Sequence, residues 1–144
     1  MNVLIDTNIA LDVLLKREPY FSNSQLVLLS AERKYIKGFV SASAITDIFY
    51  ITNKIVKNNT TTRNILKKHL LGTVYIATVD EETVLKALDA EWEDFEDCLQ
   101  YFIGDSINAD YIVTRNPKDF VNEDIVVVTP EELLDIIAPE QEGV

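Results

Sequence analysis

The stretch Asn2-Val3-Leu4-Ile5-Asp6-Thr7-Asn8 decides the fold. Three large apolar residues in a row, two of them β-branched, fit a short strand buried on both faces. Asp6 ends that run, and Asp, Thr and Asn are all favoured where a helix starts. The following Ile9–Leu15 segment has helical spacing. A buried strand that hands directly to a helix is the first half of a strand–helix–strand unit.

The same alternation continues outward from this unit. Helical spacing over Ser24–Lys34 precedes a strand at Lys37–Val40, and Ser43–Val56 follows as a helix capped by Ser41 or Ser43. Thr61–Leu71 reads as a helix capped by Thr60 or Thr61 and stopped at Gly72. A strand at Val74–Ala77, helices at Glu81–Ala90 and Phe95–Ile107, and strands at Tyr111–Val113 and Ile125–Val128 come next. Pro130 opens a last helix through Ile137. Apolar strands alternating with helices predict a parallel sheet covered on both faces. In such sheets function gathers at the carboxyl ends of strands, which singles out Asp6 and Thr114-Arg115-Asn116.

The 144 residues suit one domain with a proper core, residues 1–138, and Pro139 to Val144 read as a flexible polar tail. Neither a signal-peptide pattern nor an apolar run long enough to span a bilayer is found, and the lone Cys98 rules out an internal disulfide; together these suggest the cytoplasm. Cys98 reads as a small core residue. The net charge of −11 hides an asymmetry. Residues 1–79 carry ten Lys/Arg against five acids, a net of +5, whereas the remainder carries 3 Lys/Arg against 19 acids, a net of −16. Most of these charges read as ordinary solvated helix faces; the functional reading is a surface for phosphates in the first half and, in the second, a home for a cation or a basic partner.

Three acids occupy places that a purely structural chain uses sparingly. Asp6 follows a buried strand, Asp47 interrupts an apolar helical stretch, and Asp97 directly precedes the apolar part of its helix. Each has a plainer reading: Asp6 as a helix cap, Asp47 as a solvated residue, and Asp97 at the third position of a helix capped by Asp94. Jointly they ask for a cation, because gathered carboxylates repel one another and lose hydration. A hard divalent ion held by a few carboxylates suits phosphodiester hydrolysis. One His and one Cys give no zinc site, and the isolated Gly72 and Gly104 give no phosphate-binding loop.

Val3-Leu4-Ile5-Asp6-Thr7-Asn8, Ser43-Ala44-Ile45-Thr46-Asp47-Ile48-Phe49-Tyr50, Asp94-Phe95-Glu96-Asp97 and Tyr111-Ile112-Val113-Thr114-Arg115-Asn116-Pro117-Lys118-Asp119-Phe120 resemble, in order, the four motifs of PIN domains. The resemblance implies a three-layer α/β/α fold with a five-stranded parallel sheet. It further implies Mg²⁺ or Mn²⁺ in an acidic pocket and cleavage of single-stranded RNA, as in VapC-type toxins, with an antitoxin partner and a homodimer as expectations. By position, Asp6 matches the first metal-binding aspartate and Asp97 the third acid, while Asp47 stands where the family usually has Glu. Asn116 stands where many members have Asp. Thr7, Asn8 and Thr114 resemble supporting polar residues around the cofactor, and Asp119 resembles the acid that closes the last motif. Arg115 is placed to contact the scissile phosphate, with Lys16, Arg17, Lys54 and Lys57 leading the strand towards it. The competing class is a feeble catalyst that keeps the fold for RNA or protein binding, which Asn116 favours and the three aspartates oppose.

Overall fold

The computed structural model describes residues 1–121 and 124–142. Five parallel strands, β1 (Asn2–Ile5), β2 (Lys37–Ser41), β3 (Tyr75–Ala77), β4 (Tyr111–Val113) and β5 (Val126–Val128), lie in the order β3-β2-β1-β4-β5. Reversal of strand order at β1 places Asp6 at the switch point, where α/β sheets build their crevices. Helices α1 (Thr7–Leu14), α2 (Phe21–Glu32), α3 (Ala42–Val56), α4 (Asn59–Ile65), α5 (Glu81–Ala90), α6 (Phe95–Ser106) and α7 (Pro130–Glu142) complete the α/β architecture.

Alternation along β1 divides the core in two. Val3 and Ile5 face one layer with Ile9 of α1, Val27 of α2, Ile48 of α3 and Leu133 of α7. Leu4 faces the other, with Tyr101 and Ile103 of α6 and Ile112 of β4. Buried Cys98 donates its thiol to the Ala87 carbonyl at 3.4 Å, so it joins α6 to α5, as a small core residue would. Gly38 permits the tight approach of β2. A Cβ there would stand 3.0 Å from Ile5 and 3.1 Å from Ala31.

The elements follow the sequence pattern closely, with informative exceptions. Asn58, not Thr60 or Thr61, caps α4: its side chain accepts the Thr61 amide at 2.9 Å. The expected single helix over Thr61–Leu71 is two pieces, α4 and a π-helical turn at Leu66–Leu70. Leu66 and Leu70, at the two ends of that turn, are both buried in the core. Helix α7 runs past Ile137 and Pro139 to Glu142. Residues 143 and 144 lie outside the described residues.

Candidate active site

Asp6 is fixed from both sides. Its own amide donates to the Val113 carbonyl at 3.0 Å, extending the β1–β4 ladder by one rung. One carboxylate oxygen accepts the Thr7 amide at 2.9 Å and caps α1; the other accepts the Thr114 hydroxyl at 3.0 Å. Thr114 Oγ1 also accepts the Asn116 amide at 3.3 Å, so the turn after β4 is shaped around the same aspartate. One Asp6 oxygen therefore caps α1 while the other is held by Thr114. Asp6 remains only 9% exposed, and that burial raises its proton affinity against the lowering effects of Thr114, Thr7 and Arg115, with Asp12 adding repulsion.

Asp97 shows the strain more strongly. Its amide is held by the Asp94 side chain at 3.0 Å, which places Asp97 in the first turn of α6. Burial first, then the charges of Asp94, Asp6, Asp119 and Glu96, push its carboxyl up to about 7. Glu96, although exposed, is also raised, by burial and then by Asp6, Asp47 and Asp94. The charges of Asp6 and Asp47 thus both reach Glu96, and that of Asp6 reaches Asp97, near the carboxyl edge of the sheet. Asp47 enters from the exposed side of α3. Beside them a cleft of about 450 Å³ is lined by Trp92, Asp94, Asp97, Lys118 and Asp119.

Glu96 and Lys118 are additions to the residues singled out from sequence. Glu96 reads there as an ordinary acid in a helix first turn, and its proximity to Asp6 and Asp47 depends on how three separated elements pack. Lys118 sits inside the fourth motif, but nothing local shows that it lines the cleft.

Other expected residues are placed less simply. Asn116 is exposed beyond β4, with its amide on Thr114. Thr7 Oγ1 is buried and has no hydrogen-bond partner, an orphan donor next to Asp6. Asn8 uses its side-chain oxygen to accept from Arg17 at 3.2 Å. Arg17 folds back along α1: its Nε donates to Asp12 Oδ1 at 3.0 Å. Arg115 Nε lies 3.2 Å from Asp12 Oδ2, in ion-pair range but off the hydrogen-bonding direction, and its guanidinium stacks 4.0 Å from the centre of the Tyr20 ring. Arg115 therefore lies against fully buried Asp12 and lines a small cleft with Tyr20, Asn23 and Glu131, while its charge also reaches Asp6. Lys16, past the end of α1, is about 12 Å along the helix axis from Asp6, and Lys54 and Lys57 sit at the far end of α3.

The donor set is all oxygen, with an unsatisfied hydroxyl beside carboxylates whose proton affinity is raised. That chemistry fits a hard divalent ion. Among the described residues no three acids converge into a ready-made metal cage. Mg²⁺ does not require one, because it keeps several waters and takes one or two carboxylates plus phosphate oxygens. A cavity of about 610 Å³ at the opposite edge of the sheet has Glu32 as its one acid and none of these aspartates.

Residues 2–118 match the profile of the PIN domain, and the chain belongs to that family. Solved structures agree on the fold. A toxin–antitoxin complex from Klebsiella pneumoniae superposes with a TM-score of 0.64 at 21% identity, covering 89% of this chain and 97% of that one. VapBC2 from Rickettsia felis, bound to a promoter DNA fragment, gives 0.64 at 18% identity, with 90% and 98% covered. The sarcin–ricin loop cleaving toxin VapC20 of Mycobacterium tuberculosis gives 0.60 at 8% identity, with 76% and 86% covered. No curated relative matches the chain in sequence. PIN-domain nucleases generally use divalent metals.

Proposed function

We propose that the protein is a divalent-metal-dependent ribonuclease acting on single-stranded RNA, the toxin of a toxin–antitoxin pair. The observation that carries this reading is a buried Asp6 at the strand-order switch point, held by Thr7 and Thr114 beside an unpartnered Thr7 hydroxyl, with the proton affinities of Asp6 and Asp97 raised in keeping. Two carboxylates held where neither ionises comfortably are poised for a cation. Family membership and the toxin–antitoxin complexes among its structural relatives support the same direction.

In this reading Asp6 and Asp97 would hold Mg²⁺ or Mn²⁺, with Asp47, one methylene shorter than Glu, as a weaker third contributor. The cation supplies an activated water and neutralises charge on the phosphate. Thr114 and the Thr7 amide fix the orientation of Asp6, leaving its carboxylate no freedom to swing away. Asn116 offers an amide oxygen to a water in the pocket. Arg115, braced by Asp12 and Tyr20, receives the scissile phosphate, and Lys118 neutralises the cleft beside it. The RNA target is bound in the cytoplasm, the protein works as a homodimer, and an antitoxin protein silences it. Among the described residues no helix is long and apolar enough to cross a membrane.

A second reading, a catalytically weak RNA- or protein-binding module, draws on the exposed position of Asp47 and the absence of a carboxylate trio among the described residues. Incubating a mixed single-stranded RNA pool with Mg²⁺, Mn²⁺ or EDTA, beside an Asp97→Ala control, separates the two. Metal-dependent cleavage that the substitution removes is expected. A folded protein that neither cleaves nor binds metal would leave only the binding module. Arg115→Ala should weaken cleavage and flatten its salt dependence; unchanged values would remove the phosphate role.

A further inference from the structure

The amino edge of the sheet carries the reverse of the acidic pocket. Here a cavity of about 610 Å³ opens between the end of α2, the starts of β2 and β3, and the turn after the π-helical segment. Lys34, Tyr35, Lys37 and Tyr75 line it, and Glu32 is its one acid. Exposed Lys67 and Lys68 are on the adjoining turn. Gly72 closes that turn tightly: a Cβ there would stand 2.5 Å from the Lys68 carbonyl oxygen. Among the described residues none of Lys34, Lys37, Lys67 and Lys68 forms an ion pair. Lys37 Nζ lies 5.0 Å from the Tyr75 ring centre and 5.5 Å from that of Phe39, whose ring packs 5.7 Å from Tyr75, so the cation and the aromatic pair form one surface. Tyr75 is 58% exposed, on the edge strand of the sheet.

We infer that this cavity is a second nucleic-acid site, which takes phosphates of single-stranded RNA on Lys34 and Lys37 and a base on Tyr75. Unpaired cations answer the backbone charge, and an exposed ring beside them answers the base, which is the combination that single-strand binders use. Helix carboxyl ends also attract lysines, which explains Arg33 and Lys34 singly. It does not explain a roomy cavity, two tyrosines and cations from three separate elements. The site is one strand length from the acidic pocket, roughly 17 Å for five residues, so a strand held here can run along the edge to the carboxyl side. The identity of the ligand as RNA rests on the ribonuclease reading; the binding surface does not.

The test is fluorescence anisotropy of a labelled single-stranded 2′-O-methyl oligonucleotide, titrated with the full chain in EDTA so that neither cleavage nor a metal contributes. Lys34→Glu/Lys37→Glu should weaken binding by at least about tenfold, and should lower the slope of log affinity against log salt by about 1.4, two single-strand phosphates' worth. Tyr75→Leu keeps the apolar bulk and both lysines, and should weaken binding about tenfold through lost stacking. Wild-type affinity and salt slope in both variants, with unchanged melting curves, would overturn the inference. So would loss of a dimer in light scattering with oligonucleotide affinity intact, which would assign the surface to a second copy. If the wild type cleaves no RNA but these losses occur, the site stands and the nuclease reading falls.

Discussion

Two buried aspartates bracket helix α1, and they differ in the company they keep. Asp12 is fully buried, with Arg17 at 3.0 Å on one oxygen, Arg115 at 3.2 Å on the other and the Ser24 hydroxyl at 3.3 Å. Asp6, one and a half turns earlier, meets a hydroxyl, an amide and other acids. Burial alone does not mark a functional carboxylate. What marks it is a negative charge that the protein leaves uncompensated.

The largest effects should separate these two places by kind. Asp97→Asn is expected to cut RNA cleavage roughly 100- to 1,000-fold, with no loss of stability in EDTA. Asp12→Ala should do the reverse in character. It strands two guanidinium groups and should destabilise the fold by about 3 kcal/mol, read from chemical denaturation. If Asp12→Ala leaves stability intact, the contrast fails.

A smaller effect concerns pH. The folded Asp97 carboxyl, raised to about 7 from 3.8, binds a proton more tightly than the unfolded one. The folded state therefore carries more protons between about pH 4 and 7, so metal-free stability should fall as pH rises through that window. Solvent screening at this half-open position limits the loss to about 1 kcal/mol, or roughly 3 °C in Tm between pH 5 and 8. Asp97→Asn should flatten the curve, and Mg²⁺ should restore the wild-type Tm at pH 8. A metal-free Tm that climbs from pH 5 to 8 would contradict the electrostatics.

Finer substitutions sharpen the picture. Thr114→Val deletes the hydroxyl on Asp6 and should weaken Mg²⁺ binding about tenfold, measurable by calorimetry. Asp47→Glu restores the missing methylene and should raise affinity only about threefold, a change of under 1 kcal/mol. A decrease would show that Asp47 is already at its best reach.

Much of this was legible in the sequence for physical reasons. Val3-Leu4-Ile5 has to be an interior strand, because nothing else buries three such residues without a helical stripe. Asp6 follows from it, since a strand that gives way to a helix puts its next residue at the carboxyl edge. Local chemistry could not show what depends on packing between distant segments. Glu96 comes within reach of the Asp6 and Asp47 charges only because α6 packs against β4, next to β1. Arg17, expected to lead RNA inward, is instead engaged by Asp12 and Asn8, a fold-back that spacing does not encode. The π-helical turn at Leu66–Leu70 was hidden too, because a slip of one residue leaves the apolar pattern almost unchanged.

The rung between the Asp6 amide and Val113 has a consequence for control. It belongs to the central strand pair, whose amides in such sheets exchange with solvent only when the whole domain opens. The pocket floor therefore has no low-energy melted state from which an inactive form could be drawn. Whatever restrains this protein has to lie over the pocket, since loosening the ground beneath it would cost the entire fold.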